Sequence, residues 1–423
     1  MSLILSSSVP PRILVGVSGG IAAYKICQVV SSLAKAGAEV KVILTDSAQQ
    51  FITPLTFATL AREPAYTDQS FWQPVHGRPL HIQLGEWADV FLIAPLTANT
   101  LAKLAIGMAD NLLTNTVLAS SCPILLVPAM NRQMWQQPTV QRNWQQILTD
   151  KRFHGIAPVA GILACDRAAC PEAYRPADTP ATQQLGRMAE PEQIEAHIHS
   201  LLLTQGKLDL AGKHLLVSAG GTREYFDPVR FLGNPSTGKM GIAVVQAAIH
   251  RGANVTLVHA PMQTELIRAL SRVECMAVTS AAEMHSTILQ LFPKADITVM
   301  TAAVADLTPK DYQSQKVPKQ QLDTTIRLQH TADILADLGQ KKQPFQQIVG
   351  FAAQTGEIVT PAISKLQRKN LDAIVANPID QPLAGFGTET NQAMLIHADG
   401  RQEEVTRCSK LQLAHCLFDF LLK

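Results

Sequence analysis

The sequence predicts two Rossmann-like, doubly wound α/β domains with mainly parallel sheets, joined in tandem. Three observations carry this. Apolar, β-branched runs alternate with helical patterns along both halves of the 423 residues, and strands separated by helices make parallel sheets. Aliphatic residues dominate the apolar share while aromatics make up 5%, as expected of strands covered by helices on both faces. The third observation is a junction used twice. Ile13 to Lys25 (ILVGVSGGIAAYK) and Leu215 to Glu224 (LLVSAGGTRE) each run from an apolar strand through glycines toward a helical pattern. Such a junction turns bare backbone N–H groups and a helix N-terminus toward an anion. Neither copy spells G-x-G-x-x-G or a P-loop sequence, so the glycines alone leave mononucleotide, dinucleotide and flavin open as ligands.

In the first half, β-branched residues mark strands at Ile13 to Val17 and Glu39 to Thr45 (EVKVILT), with helical patterns from Ala22 to Ala36 and through Leu55 to Ala61. After a loop come the buried strand Val90 to Ala94, helices from Ala98 to Ile106 and Asn111 to Ala119, and the strand Ile124 to Val127. Cys165 to Gly186 is rich in Ala, Pro, Thr, Asp and Gln with no periodic face, and long loops in compact domains serve as lids or lack order. Pro191 to Thr204 reads as an amphipathic helix and Gln205 to Lys213 as a linker. The rhythm then restarts with Leu215 to Ser218, a helix from Gly238 to Arg251, Asn254 to Val258 and a helix near Ala282 to Phe292. Strands at Asp296 to Thr301, Gln347 to Phe351 and Asp372 to Ala376 and a helix from Ser409 to Leu422 complete it. The two halves share architecture without a residue-level repeat.

Composition excludes several classes. The 36 basic and 34 acidic residues nearly cancel, leaving no excess charge to track a nucleic-acid backbone. No apolar run reaches the roughly 18 residues needed to span a bilayer, and the opening MSLILSSSVPPR lacks the basic start and cleavage site of a signal peptide. A cytoplasmic protein is expected. The 7 cysteines include no C-x-x-C pair, which fits reduced thiols better than a disulfide framework or zinc site. Cys165 and Cys170 differ from the others in lying on the long loop.

Around the first junction, SGGIAAYK, LTDSAQQFITPLTF, APLTANTLAK and VPAMN fall where open α/β sheets bind ligands, at the carboxyl ends of strands. With His81 in PLHIQLGEWAD and GRMAEP at Gly186 to Pro191, they resemble the flavin-containing cysteine decarboxylase family, in particular phosphopantothenoylcysteine decarboxylases, over about Arg12 to Pro191. The resemblance implies a flavodoxin-like flavoprotein domain that binds FMN. Ser18, Gly19, Gly20 and Ala22 would approach its phosphate or ring, Thr45 or Ser47 would supply hydroxyl donors, and Thr97, Ala98, Asn99 and Thr100 would hold another edge. It further implies that His81 acts as base, an imidazole being the side chain suited to proton transfer near neutrality. Asn131 would hydrogen-bond the departing carboxylate, and Cys165 on the flap would protonate the product. The sequence departs from the family in the insertion CDRAACPEAYRPADTPATQQLGRM, which carries the second thiol, Cys170.

The second half, through AGGTREYFDPVRFLGNPSTGKMG, TAAVADLTPKDYQSQKVPKQ, GFAAQT and SKLQRKNLDAIVAN, looks like the phosphopantothenate cysteine ligase family over about Leu210 to Lys423. The resemblance implies CTP as the activating nucleotide, with magnesium, and an acyl cytidylate attacked by the cysteine amine. Gly220 and Gly221 would cradle phosphates, and Lys316, Lys365 and Lys369 would neutralise phosphate charge. Asn234 would orient the intermediate, Ala302, Asp306 and Phe351 would line the cytidine pocket, and Asp306 would assist the metal. Pro318 and Gln354 depart from the family's K-x-K-K and GFAAET patterns.

The expected organisation is a decarboxylase domain at 1–190 with its flap near 163–187, a linker helix and connector at 191–212, and a ligase domain at 213–423. Small molecules (phosphopantothenate, cysteine and CTP) are the expected partners, not nucleic acid or membrane. The resemblance implies a homo-oligomer, trimer-based and extending to a dodecamer. Two rival readings are a flavin oxidoreductase with net redox chemistry and a non-catalytic flavin or nucleotide sensor. PAMN and the missing dinucleotide fingerprint stand against the first; the flap insertion is the feature that favours the second.

Overall fold

The structure, a computed structural model, describes residues 9–73, 77–160, 185–268, 270, 273–321, 325–380 and 387–423. The chain divides into two compact units, Met1–Lys207 and Leu208–Lys423.

In the first unit the strands are β1 (Arg12–Val17), β2 (Glu39–Leu44), β3 (Ala65–Tyr66), β4 (Val90–Leu96), β5 (Ile124–Pro128) and β6 (Phe153–Gly155), with a small antiparallel ladder of β7 (Val159–Ala160) and β8 (Leu185–Arg187). The six-stranded sheet has the order β3-β2-β1-β4-β5-β6 and its pairs are parallel. That order reverses direction between β1 and β4, which makes their carboxyl ends the switch point where ligands bind. Every residue of β4 and β5 is buried, so these strands read as unbroken apolar runs rather than alternating ones.

The sequence reading left β3, β6 and the helices Arg132–Gln136 and Pro138–Ile147 unassigned, and two further features depart from it. The stretch read as a loop before β4 holds the helix Leu80–Trp87, whose buried Leu80 and Leu84 lie one turn apart. The helix Pro191–Thr204, expected in the connector, sends Ile194, Ile198 and Leu201 into the first unit's core. Lys25 and Ser32 of the helix Ala23–Lys35 reach Glu190 (2.9 Å) and Glu195 (3.0 Å). The apolar face of Pro191–Thr204 continues the domain core, and the polar pairs fix its register on the neighbouring helix.

The second unit contains β9 (His214–Ala219), β10 (Arg223–Tyr225), β11 (Phe231–Gly233), β12 (Asn254–His259), β13 (Glu274–Ala277), β14 (Ile297–Met300), β15 (Leu307–Pro309), β16 (Leu328–His330), β17 (Gln347–Gln354), β18 (Ala373–Pro378), β19 (Thr390–His397) and β20 (Gln402–Ser409). Its eight-stranded sheet runs β13-β12-β9-β14-β17-β18-β19-β20. The ladder is parallel up to β18, whereas β19 and β20 add antiparallel. The switch point falls between β9 and β14. β10 with β11 and β15 with β16 form separate two-stranded ladders.

Candidate active sites

At the first switch point a buried serine clips two strands together. Ser18 Oγ donates to the Pro95 carbonyl at 2.6 Å and accepts from the Thr97 amide at 3.0 Å. The chain leaving β1 is thereby held beside the chain leaving β4. Gly19 is required by close approach, because a Cβ there would overlap the Ser47 side chain and lie 2.9 Å from its carbonyl carbon. Gly20 differs: a Cβ would meet nothing nearer than 3.8 Å. A methyl there would make ordinary van der Waals contact with the Pro95 and Thr97 side chains, so packing alone does not require the glycine. Ala22 caps the helix Ala23–Lys35 and makes no side-chain cap bond; the Ala23, Tyr24 and Lys25 amides donate back to the carbonyls of Gly20, Ile21 and Ala22 at 3.0, 3.4 and 3.0 Å, so the positive end of the helix dipole faces the turn.

Thr97 caps the helix Ala98–Ile106, its Oγ1 accepting from the Thr100 amide at 3.3 Å. Thr100 is buried and Asn99 exposed. Thr45 caps the short helix Asp46–Gln49 in the same way, and Ser47 is exposed in its first turn. The switch point therefore gathers two glycines, several hydroxyls and the N-termini of two long helices. The predicted cofactor-binding positions are brought together.

His81 lies in the first turn of Leu80–Trp87 and packs edge-on against Phe71, ring centroids 5.4 Å apart. Its Nδ1 is buried with no hydrogen-bond partner. An orphaned buried donor or acceptor is costly, so this nitrogen marks a place where another group is expected. Asn131 is exposed and caps Arg132–Gln136, its Oδ1 accepting from the Met134 amide at 2.8 Å. With the oxygen committed, its Nδ2 points away as a donor. Gly186 of β8 packs against Asn131: its carbonyl accepts from Met130 N at 3.1 Å, and a Cβ would lie 3.0 Å from Arg132 N. The flap residues Cys165 and Cys170 lie outside the described residues.

The second switch point uses a similar clip. Ser218 is fully buried; its Oγ accepts from the Ala302 amide at 3.2 Å and its carbonyl accepts from Thr301 Oγ1 at 2.6 Å. Gly220 has φ +84°, and its carbonyl accepts from Ala303 N at 2.8 Å. A Cβ on Gly221 would sit 2.6 Å from the Asn234 carbonyl oxygen. Asn234 in turn donates from Nδ2 to the carbonyls of Ala303 (3.4 Å) and Val304 (3.3 Å).

Beside this turn lies a cavity of about 150 Å³ lined by Ser236 to Met240, Thr301 to Ala303, Phe351 to Ala353, Asn377, Ile379, Gly387, Asn391 and Lys410. Gly220 and Gly221 do not line it. Their bare α-carbons face Ala260 and Asn234; the Ser236–Gly238 loop before the helix Lys239–His250 lines the cavity instead, with the Ser236 amide donating to the Asn234 carbonyl at 2.8 Å and the Gly238 amide to Ser236 Oγ at 3.4 Å. Sequence reasoning did not single out this loop. It also missed Asn377, Asn391 and Lys410, which come from β18, β19 and the helix Lys410–Leu421.

Phe351 joins the cavity to a charged cluster, because its carbonyl accepts from Lys365 Nζ at 3.0 Å. Lys369 pairs with Asp333 at 2.8 Å. Burial pulls the Lys365 ammonium below the ordinary lysine range, with Lys369 adding to the effect and Asp333 and Asp306 opposing it. Burial resists ionisation of Asp333, but the bond from Lys369 holds its carboxyl below the usual range. Asp306 is exposed. Among the described residues no group of three or more His, Cys, Asp or Glu is arranged to hold a metal. Lys316 is not gathered with Lys365 and Lys369; it lines another cleft, of about 720 Å³, with Phe226, Asp311 and Arg327. No helix among the described residues is long and apolar enough to cross a membrane.

Comparison with known proteins agrees with this geometry. Residues 4–179 match the family described as Flavoprotein, and residues 210–423 match the DNA/pantothenate metabolism flavoprotein C-terminal domain. The chain is 42% identical over 403 residues to the coenzyme A biosynthesis bifunctional protein CoaBC of Bacillus subtilis, covering 95% of this chain and 94% of that one. It is 36% identical over 413 residues to the protein of that name from Vibrio cholerae, covering 97% of each. Among solved structures, the FMN binding protein AtHal3 is similar at 34% identity and TM-score 0.37, over 45% of this chain and 95% of that chain. With both family models matched in tandem and near-complete coverage of the bifunctional relatives, the chain belongs to the bifunctional CoaBC family of coenzyme A biosynthesis enzymes, a flavoprotein decarboxylase domain followed by a ligase domain.

Proposed function

We propose that the first unit decarboxylates phosphopantothenoylcysteine to 4'-phosphopantetheine with FMN. The second unit makes that substrate from phosphopantothenate, cysteine and CTP. The observation that carries the reading is the pair of switch points on one chain, the first furnished with an unpartnered imidazole nitrogen and the second with lysines around a cavity.

The residues of the first site fit FMN. Packing does not require the glycine at Gly20, two helices begin at the turn and direct the positive ends of their dipoles toward a phosphate there, and His81 Nδ1 lacks a partner. FMN, when bound, supplies a reversible electron sink that a thiol amino acid lacks. The chain's residues then manage protons and charge. His81 takes or holds a proton at Nδ1, its ring plane set by Phe71. Asn131, its Oδ1 fixed by the Met134 amide, donates from Nδ2 to the departing carboxylate. Cys165 on the flap is the proposed donor to the product sulfur-stabilised carbanion, and the flap excludes water.

In the second unit the phosphopantothenate carboxylate attacks the α-phosphorus of CTP and pyrophosphate leaves. The cysteine amine then attacks the acyl cytidylate and CMP leaves. Lys365, Lys369 and, from the neighbouring cleft, Lys316 stabilise phosphate charge. Phe351 and Ala302 line the nucleotide pocket, and Asn234 orients the acyl phosphate. Magnesium enters with the triphosphate, with Asp306 as the carboxylate available to it. Exposed Ile21, Leu55 and Trp72 on the first unit support a homo-oligomer, for which a trimer-based assembly up to a dodecamer is proposed, in the cytoplasm.

The test is mass spectrometry of the purified, flavin-loaded chain with phosphopantothenate, cysteine, magnesium and either CTP or ATP. Phosphopantetheine, CMP and pyrophosphate in the CTP reaction are expected. Absence of any product with either nucleotide would overturn the proposal, and equal turnover with ATP would overturn the choice of CTP.

A further inference from the structure

A lysine stands at the unfavourable end of the helix that follows the first glycine turn. Lys25 is the third residue of Ala23–Lys35, in a first turn that holds no acidic side chain, where a cation faces the like-signed end of the helix dipole. Its side chain is nevertheless only 13% exposed, and Nζ donates to Glu190 Oε2 at 2.9 Å. Glu190 compensates the charge from another segment and uses one oxygen to do so. The other, Oε1, is taken by Arg187 Nη2 of β8 at 2.7 Å.

Those two cations belong to chains that carry site residues. Lys25 continues the turn of Gly19 to Ala22, where the Gly20 carbonyl accepts from Ala23 N at 3.0 Å. Arg187 follows Gly186, whose carbonyl accepts from Met130 N at 3.1 Å and whose Cβ, if added, would lie 2.4 Å from the Met130 carbonyl oxygen. Met130 directly precedes Asn131. Between Arg187 and Glu190, Met188 and Ala189 are buried in the core, so the chain joining the two ion-paired residues is itself held. One carboxylate thus connects the glycine turn to the segment of Asn131.

The fold has other supports here. Ile26, Val29, Val30 and Leu33 on one helix and Ile194, Ile198 and Leu201 on the other share the core, and Ser32 donates to Glu195 at 3.0 Å further along the same pair. Glu190 and Arg187 are 40% and 39% exposed, and ion pairs so exposed contribute little to stability. What a carboxylate between two cations adds is direction: neither segment shifts without breaking a charged hydrogen bond.

We propose that Glu190 is a positioning residue of the decarboxylase site, a brace that holds Asn131 in place relative to the turn that receives the flavin phosphate. The role rests on the flavin-dependent decarboxylation proposed for the first unit and adds to it the source of the alignment between cofactor and departing carboxylate. Glu190 touches neither. It acts through Lys25 on one side and through Arg187, Gly186 and Met130 on the other, and a displacement of about 1 Å at a reacting group costs about a hundredfold in rate.

The experiment supplies phosphopantothenoylcysteine to the full, flavin-loaded chain as wild type, Glu190→Gln, Lys25→Met, Lys25→Arg and the double variant of Glu190→Gln with Lys25→Met. Glu190→Gln is expected to lower kcat by about tenfold to a hundredfold with KM within about twofold, while the thermal transition stays within about 3 °C and FMN affinity is kept. Lys25→Met should match it, the double variant should lose no more than either single one, and Lys25→Arg should retain most of the rate. Hydrogen exchange without substrate should quicken in Glu190→Gln at Met130 to Arg132 and at Ala23 to Lys25 together. An unchanged kcat in Glu190→Gln would overturn the proposal, as would losses that add in the double variant or a fall in kcat that comes with a collapse of the thermal transition. So would weakened FMN binding in Lys25→Met that Glu190→Gln does not share, the behaviour of a lysine that serves the phosphate alone. Wild type that converts no substrate yet shows the coupled exchange would keep the brace and overturn the reaction it serves; unchanged exchange would overturn the brace itself.

Discussion

The two switch points share a clip and differ in the chain that leads from it to the next helix. In the first unit Ser18 ties β1 to the chain leaving β4, and the helix Ala23–Lys35 begins directly after the glycine turn. In the second unit Ser218 ties β9 to the chain leaving β14, but residues 222–238 intervene before the helix Lys239–His250. That insertion carries the β10 and β11 ladder, Asn234 and the Ser236–Gly238 loop. The same architecture thus offers an anion either the glycine turn itself or a separate loop built beside it. The first arrangement suits one phosphate on a flat cofactor. The second, with Lys239 and Lys410 in the cavity lining and Lys365 bonded to the Phe351 carbonyl at its edge, suits a chain of phosphates whose charge grows during reaction.

The largest effect that would sharpen this contrast is at His81. His81→Asn should lower decarboxylation of supplied phosphopantothenoylcysteine by 10² to 10⁴, about the contribution of a general acid or base, while phosphopantothenoylcysteine still forms from CTP. Steady-state rates of the two half-reactions check it, and a parallel loss in the ligase would break the separation of the sites.

Glycine substitutions probe the turns themselves. Gly221→Ala meets the Asn234 carbonyl at 2.6 Å and should cost about 1–3 kcal/mol as overpacking, with ligase activity lost as Asn234 shifts. Gly20→Ala meets nothing closer than 3.8 Å, so it should leave the thermal transition within about 1 °C to 2 °C of wild type (the equivalent of a few tenths of a kcal/mol) and weaken only flavin retention. Melting curves and flavin absorbance after desalting distinguish the two. A large loss of stability from Gly20→Ala would contradict the ordinary van der Waals contact with Pro95 and Thr97 expected for the added methyl.

A smaller effect is expected from the clips. Ser18→Ala and Ser218→Ala each strand a backbone amide, Thr97 N or Ala302 N, at about 1–2 kcal/mol. Chemical denaturation of each variant tests whether the two clips contribute alike.

Acid should separate the units last. Burial pushes His199 down from 6.5 to about 4 and lowers His154 as well, and both belong to the first unit. A histidine depressed in the folded state binds its proton better when unfolded. Its stabilisation is present above the unfolded value of 6.5 and is lost as pH falls from there toward 4. His199 alone accounts for up to about 3 kcal/mol, against which Asp68 and Glu195, raised by burial, act in the opposite sense. Hydrogen exchange at pH 7 and pH 5 should therefore show the first unit loosening more; equal loosening would contradict this.

Much of the fold was legible because central strands buried on both faces leave continuous apolar runs, as in Val90–Leu96 and Ile124–Pro128. What escaped was written in long-range contacts. Gln402–Ser409 is an edge strand with Val405 and Cys408 as its buried residues, and its polar sequence shows no strand until β19 pairs with it. The helix bearing His81 is short and begins after a proline, with one turn of buried leucines as its signal. In the sites, the glycines and PAMN announced the first switch point. Lys410 could not be found in this way, since a lysine following a helix-capping serine reads as solvated, and only the packing of its helix against β19, β20 and the helix Lys239–His250 buries it. Lys316 lines a neighbouring cleft rather than the cavity that Phe351 lines, a placement its motif did not indicate, because the β15–β16 ladder lies beside the chain that carries it.

The independence of the two sites is tested most directly by a product balance on His81→Asn and Lys365→Met with phosphopantothenate, cysteine and CTP, each repeated with phosphopantothenoylcysteine supplied. His81→Asn is expected to accumulate phosphopantothenoylcysteine, and Lys365→Met to make none yet convert what it is given to phosphopantetheine. A single substitution that removes both conversions from a folded, flavin-loaded chain would contradict two separate active sites.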